Sequence, residues 1–132
     1  MKKLFIVILL ISTSTFAQQK LDKLLKKWNT RNVPYISVET LALPKTEAIL
    51  LDAREPKEFI TSHIENAICV GHNKFDLEKT LAKLPKDKNA KIVVYCSLGI
   101  RSEDIAEKLK KAGYSNVYNL YGGIFEWKNN DL

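Results

Sequence analysis

The stretch KIVVYCSLGIRSEDIAEKLKKAG, Lys91 to Gly113, decides the fold. Ile92, Val93, Val94 and Tyr95 form an unbroken β-branched and aromatic run, the composition of a strand buried on both faces of a parallel sheet, and the run ends at Cys96. Beyond a short loop, Ile105, Ala106, Leu109 and Ala112 recur with helical spacing, and Gly113 is placed to stop that helix at C′. Strand, loop and helix in this order imply an α/β fold with the thiol at the carboxyl end of a strand. Ligands of open α/β sheets bind in that crevice, and the free N–H groups opening the next helix favour an anion. A cysteine so placed is expected to be partly thiolate. Gly99 permits a tight backbone path, and Arg101 adds a fixed charge that favours the thiolate and can hold an anionic substrate.

The loop has the spacing C-x-x-G-x-R, met by Cys96, Gly99 and Arg101, and with a strand before it and a helix after it the chain resembles the rhodanese (sulfurtransferase) family. Protein tyrosine phosphatases and dual-specificity enzymes use one residue more, C-x5-R, to cradle a tetrahedral oxyanion. The shorter C-x4-R loop implies, by resemblance, a pocket shaped for sulfur.

Upstream, Ala48 to Leu51 is a second buried strand running into Asp52, followed by Pro56, suited to the first position of a short helix carrying Phe59. Asp52, Arg54 and Glu55 resemble the family's D-x-R-E motif, and Ser62 to Val70 its G-H-I-x-G-A segment, with Ser62 and Asn66 in place of glycines. Asn tolerates the left-handed conformation better than most residues, so that turn is expected to survive. By resemblance Asp52, Arg54 and His63 are structural supports of the active loop. His72, just past the third strand (Ala67 to Val70), is read as an exposed loop histidine, with a place in the lining of the site as the alternative. Asp76 to Leu84 is a helix carrying Leu77, Leu81 and Leu84, Tyr35 to Val38 the first strand, Val38 to Leu43 a possible helical turn, and Ser115 to Leu120 the fifth strand. The ending GGIFEW, Gly122 to Trp127, resembles the G-G-x-x-x-W tail of rhodaneses, its glycines turning tightly beside the active loop. The resemblance covers Val33 to Trp127. It implies a three-layer α/β/α sandwich around a five-stranded parallel sheet of order 3-2-4-5-1. In that order the strands carrying Cys69 and Cys96 are two spacings apart, roughly 10 Å, beyond disulfide reach, so Cys69 is expected to fill core space.

The whole chain has 132 residues, room for one domain with its own core. Met1 to Ala17 reads as a secretory signal: Lys2 and Lys3 precede the apolar run Leu4 to Ile11, and Thr15-Phe16-Ala17 ends in a small residue. That run is too short for a bilayer, which takes about 20 residues, so no stable membrane span is expected after cleavage. The organisation expected is therefore a signal (1–17), an amphipathic helix (18–32) with Leu21, Leu24, Leu25 and Trp28 on one face, and the domain (33–132), exported and periplasmic. The net charge is +6, or +4 without Lys2 and Lys3, and the lysines are scattered without interleaved aromatics; no nucleic-acid partner is expected.

By resemblance, the activity is a sulfurtransferase with Cys96 as nucleophile. The loop from Ser97 through Leu98, Gly99, Ile100 and Arg101 to Ser102 binds a small sulfur-containing anion such as thiosulfate, and a persulfide on Cys96 passes to a thiol or cyanide acceptor. No metal or organic cofactor is implied, and a monomer is expected. Ser102 is alternatively placed to cap the helix. Ser97, Leu98 and Ile100 stand where some thiosulfate-using rhodaneses carry further basic residues, which points toward polysulfide or a persulfidated carrier. The rival readings are a non-catalytic binding module, a phosphatase or arsenate reductase on the same fold, and a thiol redox partner, against which stands the absence of C-x-x-C.

Overall fold

The computed structural model describes residues 2–132, with side chains from Thr15 onward. Residues up to Thr30 form one compact unit and Arg31–Leu132 another. The first contains helix α1 (Lys2–Trp28), which starts well before the helix expected from Gln18, because the Leu/Ile run before it continues the helix without a breaker. The side chains of residues 1–14, which carry the charged and apolar parts of the expected signal, lie outside the described residues. Trp28, expected on the apolar stripe, is exposed. Among the described residues no helix is long and apolar enough to cross a membrane.

The second unit runs β1 (Tyr35–Ile36), α2 (Val38–Leu41), β2 (Ile49–Asp52), α3 (Pro56–Thr61), β3 (Ile68–Cys69), α4 (Leu77–Lys83), β4 (Ile92–Tyr95), α5 (Arg101–Lys111), β5 (Val117–Leu120) and α6 (Gly123–Asn129). Its five strands form one all-parallel sheet of order β1-β5-β4-β2-β3, the expected order read from the other edge. All four residues of β4 are inaccessible to solvent. Along it Ile92, Val94 and Cys96 face one core, with Ile105, Ala106 and Leu109 of α5, while Val93 and Tyr95 face the other, with Val38 and Leu41 of α2 and Ile124 of α6. Two-residue alternation with both faces covered is what a central strand of a three-layer sandwich requires.

Local signals set the ends of the helices. Ser37 caps α2, and Asp76 caps α4 by accepting from Lys79 N–H at 3.1 Å. Leu84 is buried at the end of α4 and Thr80 faces inward, while Leu77, expected on the same face, stays at the surface in the capped first turn. At the end of α5, Gly113 adopts φ +105° and Tyr114 N–H returns to Leu109 C=O at 3.2 Å, closing the helix as a Schellman motif. Asn66 takes the left-handed conformation, φ +67°, as expected. Ser62 is extended at φ −169°, which any residue can adopt, so the position needs no glycine.

Candidate active site

The register brings Asp52 level with Tyr95 and with Cys69, so the carboxyl ends of β3, β2 and β4 finish together beneath the loop that begins at Cys96. Cys96 is only 2% exposed. Its Sγ accepts from Gly99 N–H at 3.2 Å and lies 3.4 Å from Ser102 Oγ. Ser102 Oγ donates to Asn119 Oδ1 at 2.6 Å, and Asn119 Nδ2 donates to Gly99 C=O at 2.8 Å. Both Ser102 and Asn119 are wholly buried, so this ring of bonds fixes the loop around the sulfur. Ser102 does not cap α5: the N-cap is Ile100, without a side-chain bond. Ser97, Leu98 and Ile100 are half-buried around the loop.

Arg101 opens α5 and reaches back across the loop. Its Nη1 and Nη2 donate to Glu58 Oε1 and Oε2 at 2.7 and 3.0 Å, and Nη2 donates also to Ser97 Oγ at 2.9 Å. These bonds with Glu58 raise the Arg101 pKa above its ordinary value, against the cost of burial, and Cys96 adds to the effect by charge and hydrogen bond. The Glu58 carboxyl is held down at about 2, first by the Arg101 hydrogen bond, against burial, and then by Glu55 N–H. That last bond is half of a capping box at the start of α3, which fixes Glu58 at the mouth of the loop.

A second brace lies under β4. Asp52, fully buried, accepts from Arg54 N–H (2.9 Å), Nε (3.1 Å) and Nη2 (2.8 Å), and Arg54 Nη2 also reaches Ser62 C=O. Burial works to lower the Arg54 pKa, but the hydrogen bond and charge of Asp52 outweigh it and the net shift is upward. The guanidinium lies 5.9 Å from the ring of Tyr95, whose hydroxyl accepts from Ile64 N–H, and Ala53 N–H donates to Tyr95 C=O. Burial pushes the Tyr95 phenol up, so it stays neutral beneath the loop.

The roof is α6. Ile124 N–H donates to Cys96 C=O at 2.9 Å and Phe125 N–H to Ser97 C=O at 3.2 Å. Gly123, at φ +57°, lies so close that a Cβ there would come within 2.6 Å of Ser97 C and nearer still to Cys96 O, so only glycine fits.

The structure thus gathers Cys96, Ser97, Gly99, Arg101 and Ser102 at one point, with Asp52 and Arg54 beneath. His63 stands apart: it is exposed, stacks on Phe59 with ring centroids 3.8 Å apart, bonds Phe59 C=O, and supports the end of α3 rather than the active loop. His72 pairs with Asp104 in the first turn of α5 at 2.9 Å. Cys69 and Cys96 are both free, and β2 lies between their strands. Burial, then the Asp52 carboxylate, pushes the Cys69 thiol up, which suits a space-filling thiol rather than a nucleophile. Among the described residues no three His, Cys, Asp or Glu side chains gather as metal ligands would. Two residues that brace the loop from outside it, Glu58 and Asn119, escape the sequence reading. Asn119 leaves a trace, an amide inside the apolar strand VYNL; Glu58 leaves only its place as the acidic residue of a helix's first turn.

Residues 37–130 match the rhodanese-like domain family. The chain belongs to that family. A rhodanese-related protein from Thermoplasma volcanium superimposes with a TM-score of 0.63 at 30% identity, covering 74% of this chain and 92% of that one. The thiosulfate sulfurtransferase of Pseudomonas aeruginosa does so with a TM-score of 0.66 at 25% identity, covering 86% of this chain and 22% of that one. Among curated relatives, the probable adenylyltransferase/sulfurtransferase MoeZ of Mycobacterium tuberculosis is 40% identical over 78 residues, 59% of this chain and 19% of its own length. The chain spans 19 to 29% of the length of the curated relatives it matches. It is therefore a rhodanese domain whose relatives include sulfurtransferases.

Proposed function

We propose that the domain is a sulfurtransferase that moves sulfane sulfur from thiosulfate, a polysulfide or a persulfide donor to a thiol or cyanide acceptor through a persulfide on Cys96. The observation that carries the reading is a sulfur atom sunk at the end of the central strand, 2% exposed, accepting from Gly99 N–H at 3.2 Å with Ser102 Oγ 3.4 Å away. A nucleophile so enclosed is reached by a slender terminal sulfur more readily than by a broad tetrahedral group.

In the first half-reaction Cys96 Sγ, as thiolate, attacks the outer sulfur of the donor. The S–S bond of thiosulfate breaks, its electron pair leaves with sulfite, and the new S–S bond makes the Cys96 persulfide. In the second, an acceptor thiolate or cyanide attacks the terminal sulfur and Cys96 leaves as thiolate. Gly99 N–H stabilises sulfur charge in both steps without reorganising, because Ser102, Asn119 and α6 hold the loop. Export to the periplasm belongs to the same reading, with the signal before Gln18 as its ground.

The test is intact mass of the protein after incubation with thiosulfate and, separately, polysulfide, beside Cys96→Ser. A gain of one sulfur, removed by cyanide and absent from the variant, is expected. Protein with a free Cys96 thiol that gains no sulfur from either donor sinks the sulfurtransferase reading and favours a binding module.

A further inference from the structure

Arg101 is the one cation of the active loop, yet its charge is not open to a donor. Both of its terminal nitrogens are engaged by the Glu58 carboxylate in a two-point pair, and one of them also holds Ser97. The carboxylate is also held by Glu55 N–H at 3.3 Å, half of the α3 capping box, so swinging Glu58 away forfeits that bond as well as the pair. The pair is about one-third exposed, 29% for Arg101 and 36% for Glu58, so solutes reach it at the edge of the loop. The remaining loop side chains, Ser97, Leu98 and Ile100, carry no charge. A donor entering here therefore meets an ion pair of no net charge in place of a free guanidinium.

We infer that Glu58 is a positioning residue that sets donor specificity through Arg101: it neutralises the loop's cation and so selects persulfides of low charge, R–S–SH or R–S–S⁻, over the dianion thiosulfate. The inference rests on the sulfurtransferase reading and names its donor class. The chemistry balances without a further reactant: Cys96 thiolate attacks the terminal sulfur of R–S–SH, the donor S–S bond breaks, RS⁻ leaves with the electron pair, and Cys96 carries S–SH. For thiosulfate the same step releases sulfite, but its two negative charges must enter with no free cation in the loop to offset them.

The experiment compares wild type, Glu58→Gln and Glu58→Asp with two donors, thiosulfate and 2-hydroxyethyl hydropersulfide, following the rate of Cys96 persulfidation by intact mass. Glu58→Gln keeps the shape and an acceptor oxygen for Glu55 N–H while freeing the charge of Arg101. It is expected to raise the thiosulfate rate about tenfold, chiefly through a lower KM, to leave the hydropersulfide rate within about twofold, and to make the thiosulfate rate more sensitive to salt. Glu58→Asp, which keeps the charge, is expected to keep the wild-type donor ratio. Equal changes for both donors in Glu58→Gln would show that Glu58 merely braces Arg101 and would overturn the inference while leaving the sulfurtransferase reading intact. No persulfide from either donor in any of the three proteins, each with a free thiol, would bring both down.

Discussion

Gly123→Ala separates the cost of a backbone conformation from the cost of a collision. At φ +57° a Cβ strains the backbone, and the atoms it meets are main-chain atoms of Cys96 and Ser97, which cannot rotate away. To reach a van der Waals separation of about 3.5 Å from a carbon now within 2.6 Å, α6 and the active loop must part by about 1 Å. That movement breaks the bonds from Ile124 N–H to Cys96 C=O and from Phe125 N–H to Ser97 C=O. The left-handed alanine costs about 1–2 kcal/mol and the two bonds about 1–3 kcal/mol, so a total of about 2–5 kcal/mol is expected. Gly71→Ala is the control: its φ is +71°, but the nearest atom to a Cβ is 4.0 Å away, so only the conformational part, about 1–2 kcal/mol, applies. Urea midpoints give both stabilities, and the rate of Cys96 alkylation by iodoacetamide in the native state reports the loop. Gly123→Ala should be the less stable by about 1–3 kcal/mol and should alter alkylation severalfold, whereas Gly71→Ala leaves it unchanged. Equal losses in the two variants, with alkylation alike, would refute the claim that α6 holds the loop through that contact.

Arg54→Ala leaves the Asp52 carboxylate buried without its partner and should cost about 3–5 kcal/mol by denaturant unfolding, far more than an exposed arginine would. Ser102→Ala orphans Asn119 Oδ1 and should cost about 1–3 kcal/mol; Ser102→Ala combined with Asn119→Leu should recover part of that loss, which a double-mutant cycle would read. The folded-state pKa of Glu58, about 2, lies below its ordinary 4.5, so the stabilisation it supplies is complete above pH 4.5 and is lost as pH falls through about 2. Because the pair is one-third exposed the contribution is below about 1 kcal/mol, and Glu58→Gln should flatten the acid limb of the stability profile by no more than that.

The parts of the fold written in contiguous residues were legible. Four apolar β-formers before Cys96 and a helical stripe ending at Gly113 define β4 and α5 without reference to anything else, and Pro56 marks the start of α3. Edge strands were overdrawn, because their length is set by a partner: β3 pairs only at Ile68 and Cys69, although the apolar run from Ala67 to Val70 is longer. Cys96, Gly99 and Arg101 declared themselves by spacing. Their partners did not, since Glu58 lies 43 residues before Arg101 and Asn119 17 residues after Ser102, and only the parallel crossover connections bring them together. An acidic residue in a first helical turn and an amide in a strand each have commoner reasons to exist than a buried contact with a distant loop.

The place of β5 in the sheet fixes when the site can exist. The strand made last lies between the strand made first and the central one, pairing Tyr35 with Asn119 on one side and Val94 with Asn119 on the other. A growing chain that has reached Cys96, or even the end of α5, has the nucleophile but neither the amide that closes its loop nor the sheet that joins β1 to β4. Such long-range pairing delays formation of the sheet until β5 has left the ribosome. Fragments lacking the residues from Val117 onward are therefore expected to be inert, and the nascent chain has no reactive thiol pocket until β5 has emerged.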